Sequence, residues 1–212
     1  MRGMHPETQP ASPSLPDYRT HPRAFLKALF DAAVHSAQPL HGMRQWLPQP
    51  PSRESGGRTL VLGAGKAGGA MAQALEALWP QDAPLSGLVV TRYGHVPPRP
   101  AGLPQRIEVV EAAHPVPDAA GLAAAQRILD LTQGLTEHDL VLCLISGGGS
   151  SLLTLPCDGV TLEDKQRINR ALLDSGQLVK EQFTLEVQSH VPPLRVDRTA
   201  GLLAGVAAQS GR

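Results

Sequence analysis

The fold is indicated by one stretch, Thr59-Leu60-Val61-Leu62-Gly63-Ala64-Gly65-Lys66-Ala67-Gly68-Gly69, in which an apolar run leads directly into glycines. Helix-forming residues follow over 70–78, so the stretch predicts a strand, a tight turn and a helix. The order is repeated where the apolar run 140–145 leads into Ser146-Gly147-Gly148-Gly149-Ser150-Ser151. Because small residues let successive backbone N–H groups converge on one anion, both loops are predicted to cradle phosphate. In one parallel sheet, both would emerge at the carboxyl edge, where ligands of open α/β sheets bind.

Strands alternate with helices between residues 59 and 173, which predicts an α/β fold, a Rossmann-like three-layer sandwich around a mostly parallel sheet. The predicted strands are 59–62, 87–90, 107–110 and 140–145, and the predicted helices are 22–37, 66–78, 119–131 and 162–173. Asp118 is expected to cap the helix at 119–131. The first helix has apolar residues at helical spacing, so we expect one apolar face to pack on the sheet. Cys143, inside a strand, is expected to be a core residue.

The overall composition excludes several classes of partner. Lys plus Arg equals Asp plus Glu at 19 each, so no net field favours nucleic acid or an anionic membrane. The two cysteines lack the number and spacing of a disulfide framework or a zinc site. No apolar run approaches membrane-spanning length. We therefore expect a cytoplasmic protein with no nucleic-acid or membrane partner.

The first glycine loop fits two kinds of nucleotide chemistry. Residues 63–68 form a G-x-G-x-x-G after a predicted strand, as in dinucleotide-binding sites. That fingerprint expects an acidic residue at the end of the next strand, but Arg92 lies there and would suit the 2′-phosphate of NADP. Lys66 adds a cation at the start of the helix and suits a phosphoryl group in transfer. No Ser or Thr follows Lys66, so the loop is not a Walker A motif.

Purely structural interpretations of the same residues remain open. A glycine loop between a strand and a helix can be only a tight turn, because glycine is the default residue at strained turns. Lys66 would also suit a solvated first helical turn, and His95 and His114 would suit exposed loops. Asp118 is first of all a helix cap. Two such loops in one sheet nevertheless favour a phosphate site.

Four blocks of the sequence, in this order and spacing, resemble the amino-terminal domain of the class II glycerate kinases. These enzymes are also called glycerate 2-kinases and are often labelled hydroxypyruvate reductases. The blocks are Val61-Leu62-Gly63-Ala64-Gly65-Lys66-Ala67, Val89-Val90-Thr91-Arg92-Tyr93-Gly94-His95, Glu111-Ala112-Ala113-His114-Pro115-Val116-Pro117-Asp118 and Leu144-Ile145-Ser146-Gly147-Gly148-Gly149-Ser150-Ser151. The resemblance implies transfer of the ATP γ-phosphoryl group to the 2-hydroxyl of D-glycerate, with Mg²⁺ as a further cofactor. An NAD(P)-dependent reductase-like or non-catalytic nucleotide-binding module is the alternative.

The resemblance also implies roles for individual residues. Lys66 corresponds to the functional, catalytic lysine of the family. The residues expected to bind the cofactor are Gly63, Gly65, Lys66, Ser146, Gly147, Gly148, Gly149, Ser150 and Ser151, and the substrate-side candidates are Arg92, His114 and Asp118. Metal ligands are not assigned. Arg92 stands where the family commonly has lysine, a change that keeps the charge but alters its geometry.

The sequence predicts three segments: a disordered lead-in at 1–17, the α/β domain at 18–176 and a divergent tail at 177–212. The resemblance stops near Gly176, and the second domain of the family is absent. Our hypothesis is a reading-frame shift or premature ending there, which leaves the fold incomplete relative to the family. We therefore expect the chain alone to have little kinase activity and to self-associate through uncovered apolar surface.

Overall fold

The computed structural model describes residues 15–175 of the 212-residue chain. Its centre is a parallel four-stranded sheet of order β3-β2-β1-β4, formed by β1 (Thr59–Ala64), β2 (Ser86–Arg92), β3 (Ile107–Ala112) and β4 (Leu140–Ile145). The helices are α1 (Pro22–Ser36), α2 (Pro39–Gly42), α3 (Gly68–Leu78), α4 (Ala119–Leu131), α5 (Gly149–Leu152) and α6 (Leu162–Asp174). The predicted α/β fold is confirmed. Apart from residues 15–17, the predicted lead-in and tail lie outside the described residues.

Helices pack on both faces of the sheet, which explains the apolar run in each of its strands. On one face α3 packs on the strands, in a core of Val61, Ala72, Leu75, Trp79, Leu85, Val89, Ile107, Leu142 and Leu144. On the other face α4 and α5 pack, in a core of Leu60, Leu62, Ala64, Leu88, Val90, Ala112, Ala124, Ile128 and Leu152. Each fully buried Leu or Val side chain contributes about 1.5–3 kcal/mol. No helix within residues 15–175 is long and apolar enough to span a membrane.

The predicted cap of α4 is present, and α6 is capped as well. The side chain of Asp118 accepts a 3.0 Å hydrogen bond from the N–H group of Gly121 at the start of α4. At α6, the hydroxyl of Thr161 accepts from the N–H group of Asp164, whose carboxylate accepts from the N–H group of Thr161 in return. Such caps satisfy backbone donors that a helix cannot pair internally.

A fully buried carboxylate, Glu76 of α3, organises the connection between β2 and β3. It accepts hydrogen bonds from the N–H groups of Arg106 and Ile107 at 2.7 and 2.8 Å, and from the guanidinium of Arg99 at 2.7 Å. A buried charge is tolerated when it is paired and fully hydrogen-bonded. Glu76 therefore ties α3 to the start of β3.

The expectation that α1 packs on the sheet is wrong. No residue of α1 is buried, and Leu26 and Phe30 are 63% and 65% exposed, so this helix does not present an apolar face to the sheet. The sheet face on the α3 side is already covered by α3, with Met43 and Leu47 packed against the same core. The sequence pattern correctly predicts an amphipathic helix but not its neighbour.

Cys143 is exposed rather than part of the core. Within the described residues β4 is an edge strand, and Cys143 pairs with Leu62 of β1 on the face covered by α4 and α5. The core on that face draws on β1, β2 and β3 but not on β4. Cys143 therefore lies in an uncovered row with Val141 and Ile145, which are 37% and 53% exposed. Self-association through such apolar surface stays a prediction.

Candidate functional site

The two glycine loops lie side by side because β1 and β4 are adjacent and parallel, with Ala64 opposite Ile145. The lysine loop (residues 65–67) and the glycine loop (residues 146–149) are joined by hydrogen bonds. The N–H group of Lys66 donates to the carbonyl of Gly147 at 2.9 Å, and that of Ala67 donates to the Ser146 hydroxyl at 3.0 Å. The two loops therefore form one unit at the carboxyl edge of the sheet.

Gly65 is required by this close approach. Its φ is +136°, and a Cβ placed there would lie 2.1 Å from Oγ of Ser146. The N–H groups of the lysine loop are already taken: that of Gly65 donates to Val90, and Lys66 and Ala67 donate to the glycine loop. What the lysine loop offers to a ligand is therefore the exposed side chain of Lys66.

Lys66 and His114 converge on Gly148. A Cβ placed on Gly148 would lie 2.6 Å from Nε2 of His114 and 3.4 Å from Cε of Lys66, and the φ of Gly148 is +89°. Within residues 15–175 the N–H groups of Gly147 and Gly148 donate no hydrogen bond. Two free N–H groups beside a lysine ammonium provide the donors and the charge that a phosphate needs.

Contacts of Ser150, Ser151 and Gly63 shape the backbone around the glycine loop. The hydroxyl of Ser151 is nearly buried and donates to the carbonyl of Gly148 at 3.2 Å. The carbonyl of Ser150 accepts from the hydroxyl of Thr154, which is also buried. Gly63 lies within β1, where a Cβ would lie 2.4 Å from the carbonyl oxygen of Leu144. These contacts fix the backbone that carries Gly148.

His114 is partly buried between positive charges. Burial lowers the pKa of His114, and the charges of Lys66 and Arg92 lower it further. A histidine with a lowered pKa is neutral at pH 7, so one ring nitrogen can accept a proton. The position of His114 against Gly148 therefore places a neutral proton acceptor beside the candidate phosphate site.

Asp118 is committed to local hydrogen bonds. Its Oδ1 accepts from Gly121, and its Oδ2 accepts from the hydroxyl of Tyr93 at 2.9 Å. Burial favours a higher pKa for Asp118, but the hydrogen bonds from Gly121 and Tyr93 outweigh it and hold the pKa below its ordinary value. Asp118 therefore orients the loops after β2 and β3. Tyr93 is a site residue that sequence reasoning did not single out, because its partner is distant in the chain.

Acidic groups are sparse at this edge. Within residues 15–175 no cluster of three or more His, Cys, Asp or Glu side chains could hold a metal ion. Glu111, at the end of β3, accepts a 2.6 Å hydrogen bond from the N–H group of Gly94. The surroundings of Gly148 are therefore dominated by positive charge.

Residues 25–184 match the family described as a domain of unknown function, DUF4147. This chain belongs to the DUF4147 family. It is 50% identical over 173 residues to an Agrobacterium vitis protein that carries a hydroxypyruvate reductase name, with coverage of 82% of this chain and 37% of the relative. It is 40% identical over 143 residues to a Thermotoga maritima D-glycerate 2-kinase, with coverage of 68% and 33%. The expected resemblance to glycerate 2-kinases is thus confirmed.

Solved structures agree with this relationship. The DUF4147 chain superimposes on the crystal structure of a glycerate kinase from Thermotoga maritima with a TM-score of 0.57 at 33% identity, covering 73% of this chain and 35% of that one. A Pyrococcus horikoshii protein gives a TM-score of 0.60 at 30% identity, with coverage of 79% and 38%. The chain therefore spans little more than a third of the length of the relatives that it matches.

Proposed function

We propose that this chain is the phosphate-binding part of a glycerate 2-kinase, which transfers the γ-phosphoryl group of ATP to the 2-hydroxyl of D-glycerate. The convergence of Lys66 and His114 on the open backbone of Gly148 carries the proposal. The relatives named D-glycerate 2-kinase and glycerate 2-kinase support the choice of reaction.

The residues present fit the phosphates of ATP. Phosphoryl transfer needs positioning and charge stabilisation more than covalent help, and ATP supplies the transferred group. The ammonium of Lys66 would offset the negative charge that develops on the phosphoryl oxygens. The free N–H groups of Gly147 and Gly148 would orient those oxygens. The lack of a side chain at Gly148 lets the ring of His114 lie directly against the loop.

Mg²⁺ needs few ligands from the protein in a site of this kind. Mg²⁺ in phosphoryl-transfer sites keeps several waters and is bound by one or two carboxylates together with phosphate oxygens. The absence of a larger acidic cluster within residues 15–175 agrees with that pattern. Glu111, at the end of β3, is the carboxylate at this edge that would contribute, because both oxygens of Asp118 already accept hydrogen bonds. Bound Mg²⁺ would supply neutralisation of phosphate charge.

His114 is the proposed acceptor of the proton that leaves the 2-hydroxyl. A general base must be largely unprotonated at the working pH and lie within reach of the reacting hydroxyl. Lys66 and Arg92 help keep His114 neutral, and its Nε2 faces Gly148. A hydroxyl held between His114 and the γ-phosphate would pass its proton to His114 as the new P–O bond forms and the bond from the γ-phosphorus to the leaving ADP breaks.

A reductase is less well supported, although some relatives carry a hydroxypyruvate reductase name. A dinucleotide pyrophosphate would bind at the N-terminus of α3. There the N–H groups of the lysine loop are taken, and Gly69 packs closely under the following loop. A Cβ at Gly69 would lie 3.1 Å from Cδ of Pro97 and 3.3 Å from the carbonyl oxygen of His95.

The test compares the two chemistries in one protein. Because the chain spans little more than a third of its relatives, we would assay both 1–212 and a fusion carrying the remaining part of a relative. We expect the fusion to form 2-phosphoglycerate from D-glycerate and ATP-Mg²⁺, and Lys66→Ala to abolish this. Oxidation of NAD(P)H by hydroxypyruvate without phosphoryl transfer would overturn the proposal.

A further inference from the structure

Arg92, the last residue of β2, places a positive charge at the carboxyl edge of the sheet that no acidic side chain within residues 15–175 pairs with. It is partly buried, and its Nε is fully buried without a hydrogen-bond partner. Within residues 15–175 its guanidinium forms no ion pair and donates no hydrogen bond. By contrast, Arg99 and Arg127 each pair with a carboxylate. A guanidinium held in place without a partner is a donor set available to a ligand.

Arg92 lies apart from the glycine loop that is proposed to bind phosphate. In the order β3-β2-β1-β4, Lys66 follows β1 and the glycine loop follows β4, so Arg92 on β2 lies two strands from the glycine loop. Two strand spacings are about 10 Å. His114 follows β3, yet it reaches Gly148 and is close enough to Arg92 for the guanidinium charge to lower its pKa. His114 therefore lies against Gly148 and within electrostatic range of Arg92.

We propose that Arg92 binds the carboxylate of the phosphoryl acceptor and so restricts the substrate class to short hydroxy acids. This inference rests on the proposed function, because it assigns the acceptor side of the same site. A hydroxy acid whose hydroxyl lies at His114 extends its carboxylate toward β2. The planar guanidinium can hold that carboxylate through two parallel hydrogen bonds, whereas a lysine ammonium is a point charge suited to phosphate.

The test measures binding to the whole 1–212 chain, independently of turnover. Calorimetry with D-glycerate, glycerol and inorganic phosphate would be run on the wild type, Arg92→Gln, Arg92→Lys and the control Arg127→Gln. Arg127 is a matched control because its side chain pairs with Glu108 on the same sheet, and it lines the depression near Ser86 at the amino end of β2. A parallel experiment would map phenylglyoxal modification of arginines by mass spectrometry with and without each ligand.

We expect Arg92→Gln to weaken D-glycerate binding about ten- to a hundredfold, since hydrogen bonds between charged groups are lost. Arg92→Lys should give an intermediate loss, and Arg127→Gln none. D-glycerate should protect Arg92 from phenylglyoxal, whereas glycerol should not. Phosphate binding should survive in Arg92→Gln.

Three results would overturn this inference. They are equal D-glycerate affinity in Arg92→Gln and Arg127→Gln, loss of phosphate rather than D-glycerate binding in Arg92→Gln, and no binding of D-glycerate to the wild type. The first two leave the kinase proposal intact, since that proposal depends on Lys66 and the glycine loop. Failure of the kinase proposal would instead be seen as absence of 2-phosphoglycerate formation by the fusion protein.

Discussion

The hydroxyl of Tyr93 donates a 2.9 Å hydrogen bond to Oδ2 of Asp118. This contact joins the loop after β2 to the cap of α4, so the loops after β2 and β3 are held by one carboxylate. The hydrogen bond to Asp118 is also the main reason why the pKa of Tyr93 is raised. The segment that carries His114 ends at this cap, and its position therefore depends on Asp118.

Asp118→Ala should destabilise the chain by about 1 kcal/mol through loss of the helix cap. Because the pKa of Asp118 is lowered in the folded state, its carboxylate should give its full stabilisation of the fold above the ordinary pKa of 3.8. This stabilisation should be lost as the pH falls through the lowered pKa of the folded state. Urea unfolding at pH 7 and pH 3 would measure both effects. Asp130→Ala, at an exposed position in α4, is the control. Equal stability of the two variants at pH 7 would contradict the prediction.

Lys66→Ala should leave the fold unchanged and greatly weaken binding of ATP. The side chain is exposed, so its removal takes away charge and no core packing. Calorimetry with ATP, alongside circular dichroism, would check both parts. Lys27→Ala removes the same charge from exposed α1 and should bind ATP as the wild type does. Unaltered ATP affinity in Lys66→Ala would remove the basis for the phosphate site.

Gly148→Val should abolish ATP binding. A Cβ would lie 2.6 Å from Nε2 of His114, and a β-branched residue tolerates the φ of +89° poorly. Gly147→Ala is a control in the same loop, because a Cβ there meets nothing within 4 Å. We expect calorimetry to show retained binding in Gly147→Ala only. Retained ATP binding in Gly148→Val would show that the glycine loop is only a turn and does not bind phosphate.

The protonation of His114 should respond to Arg92. Since Arg92 lowers the pKa of His114, Arg92→Gln should raise it, and the acid limb of the fusion protein's pH–rate profile should move to higher pH. An NMR titration of the His114 ring in the 1–212 chain would measure the shift without any turnover. Arg127→Gln should leave the titration unchanged. A fall in the pKa of His114 in Arg92→Gln would show that the sign is wrong.

Glu76→Gln should be among the most destabilising single changes. It would leave Arg99 without its charged partner, because an amide oxygen kept on the N–H groups of Arg106 and Ile107 turns the amide NH2 group toward the guanidinium of Arg99. Breaking a buried, hydrogen-bonded pair costs about 3–5 kcal/mol. Urea unfolding would measure it, with Glu108→Gln as a surface ion-pair control expected to cost less than about 1 kcal/mol. Similar losses in the two variants would argue against a structural role for Glu76.

Sequence patterns were sufficient for most of the fold because each strand contains an apolar run and each main helix has a recognisable start. The cap residues Asp118 and Thr161 act locally, so their roles follow from short spacings. The exposure of α1 and of Cys143 could not be predicted, because burial depends on which elements pack alongside. Periodicity shows that a helix has an apolar face but not what covers it.

The candidate site could likewise be predicted only in part from the sequence. The position of both glycine loops at one edge follows from the parallel sheet, and Lys66 was expected at the start of α3. That the lysine-loop N–H groups would be taken by Ser146 and Gly147 could not be read from either loop alone. The convergence of His114 on Gly148 likewise depends on side-chain packing between segments far apart in sequence.

The hydrogen bond from Ala67 to Ser146 joins residues that are 79 positions apart. The proposed phosphate site therefore does not exist until β4 has docked against β1, and any anion that bound there would recognise only the assembled sheet. Such a ligand shifts the folding equilibrium of the whole domain by mass action. Phosphate compounds should thus stabilise the folded domain, and its unfolding temperature should rise with their concentration even when no chemistry takes place.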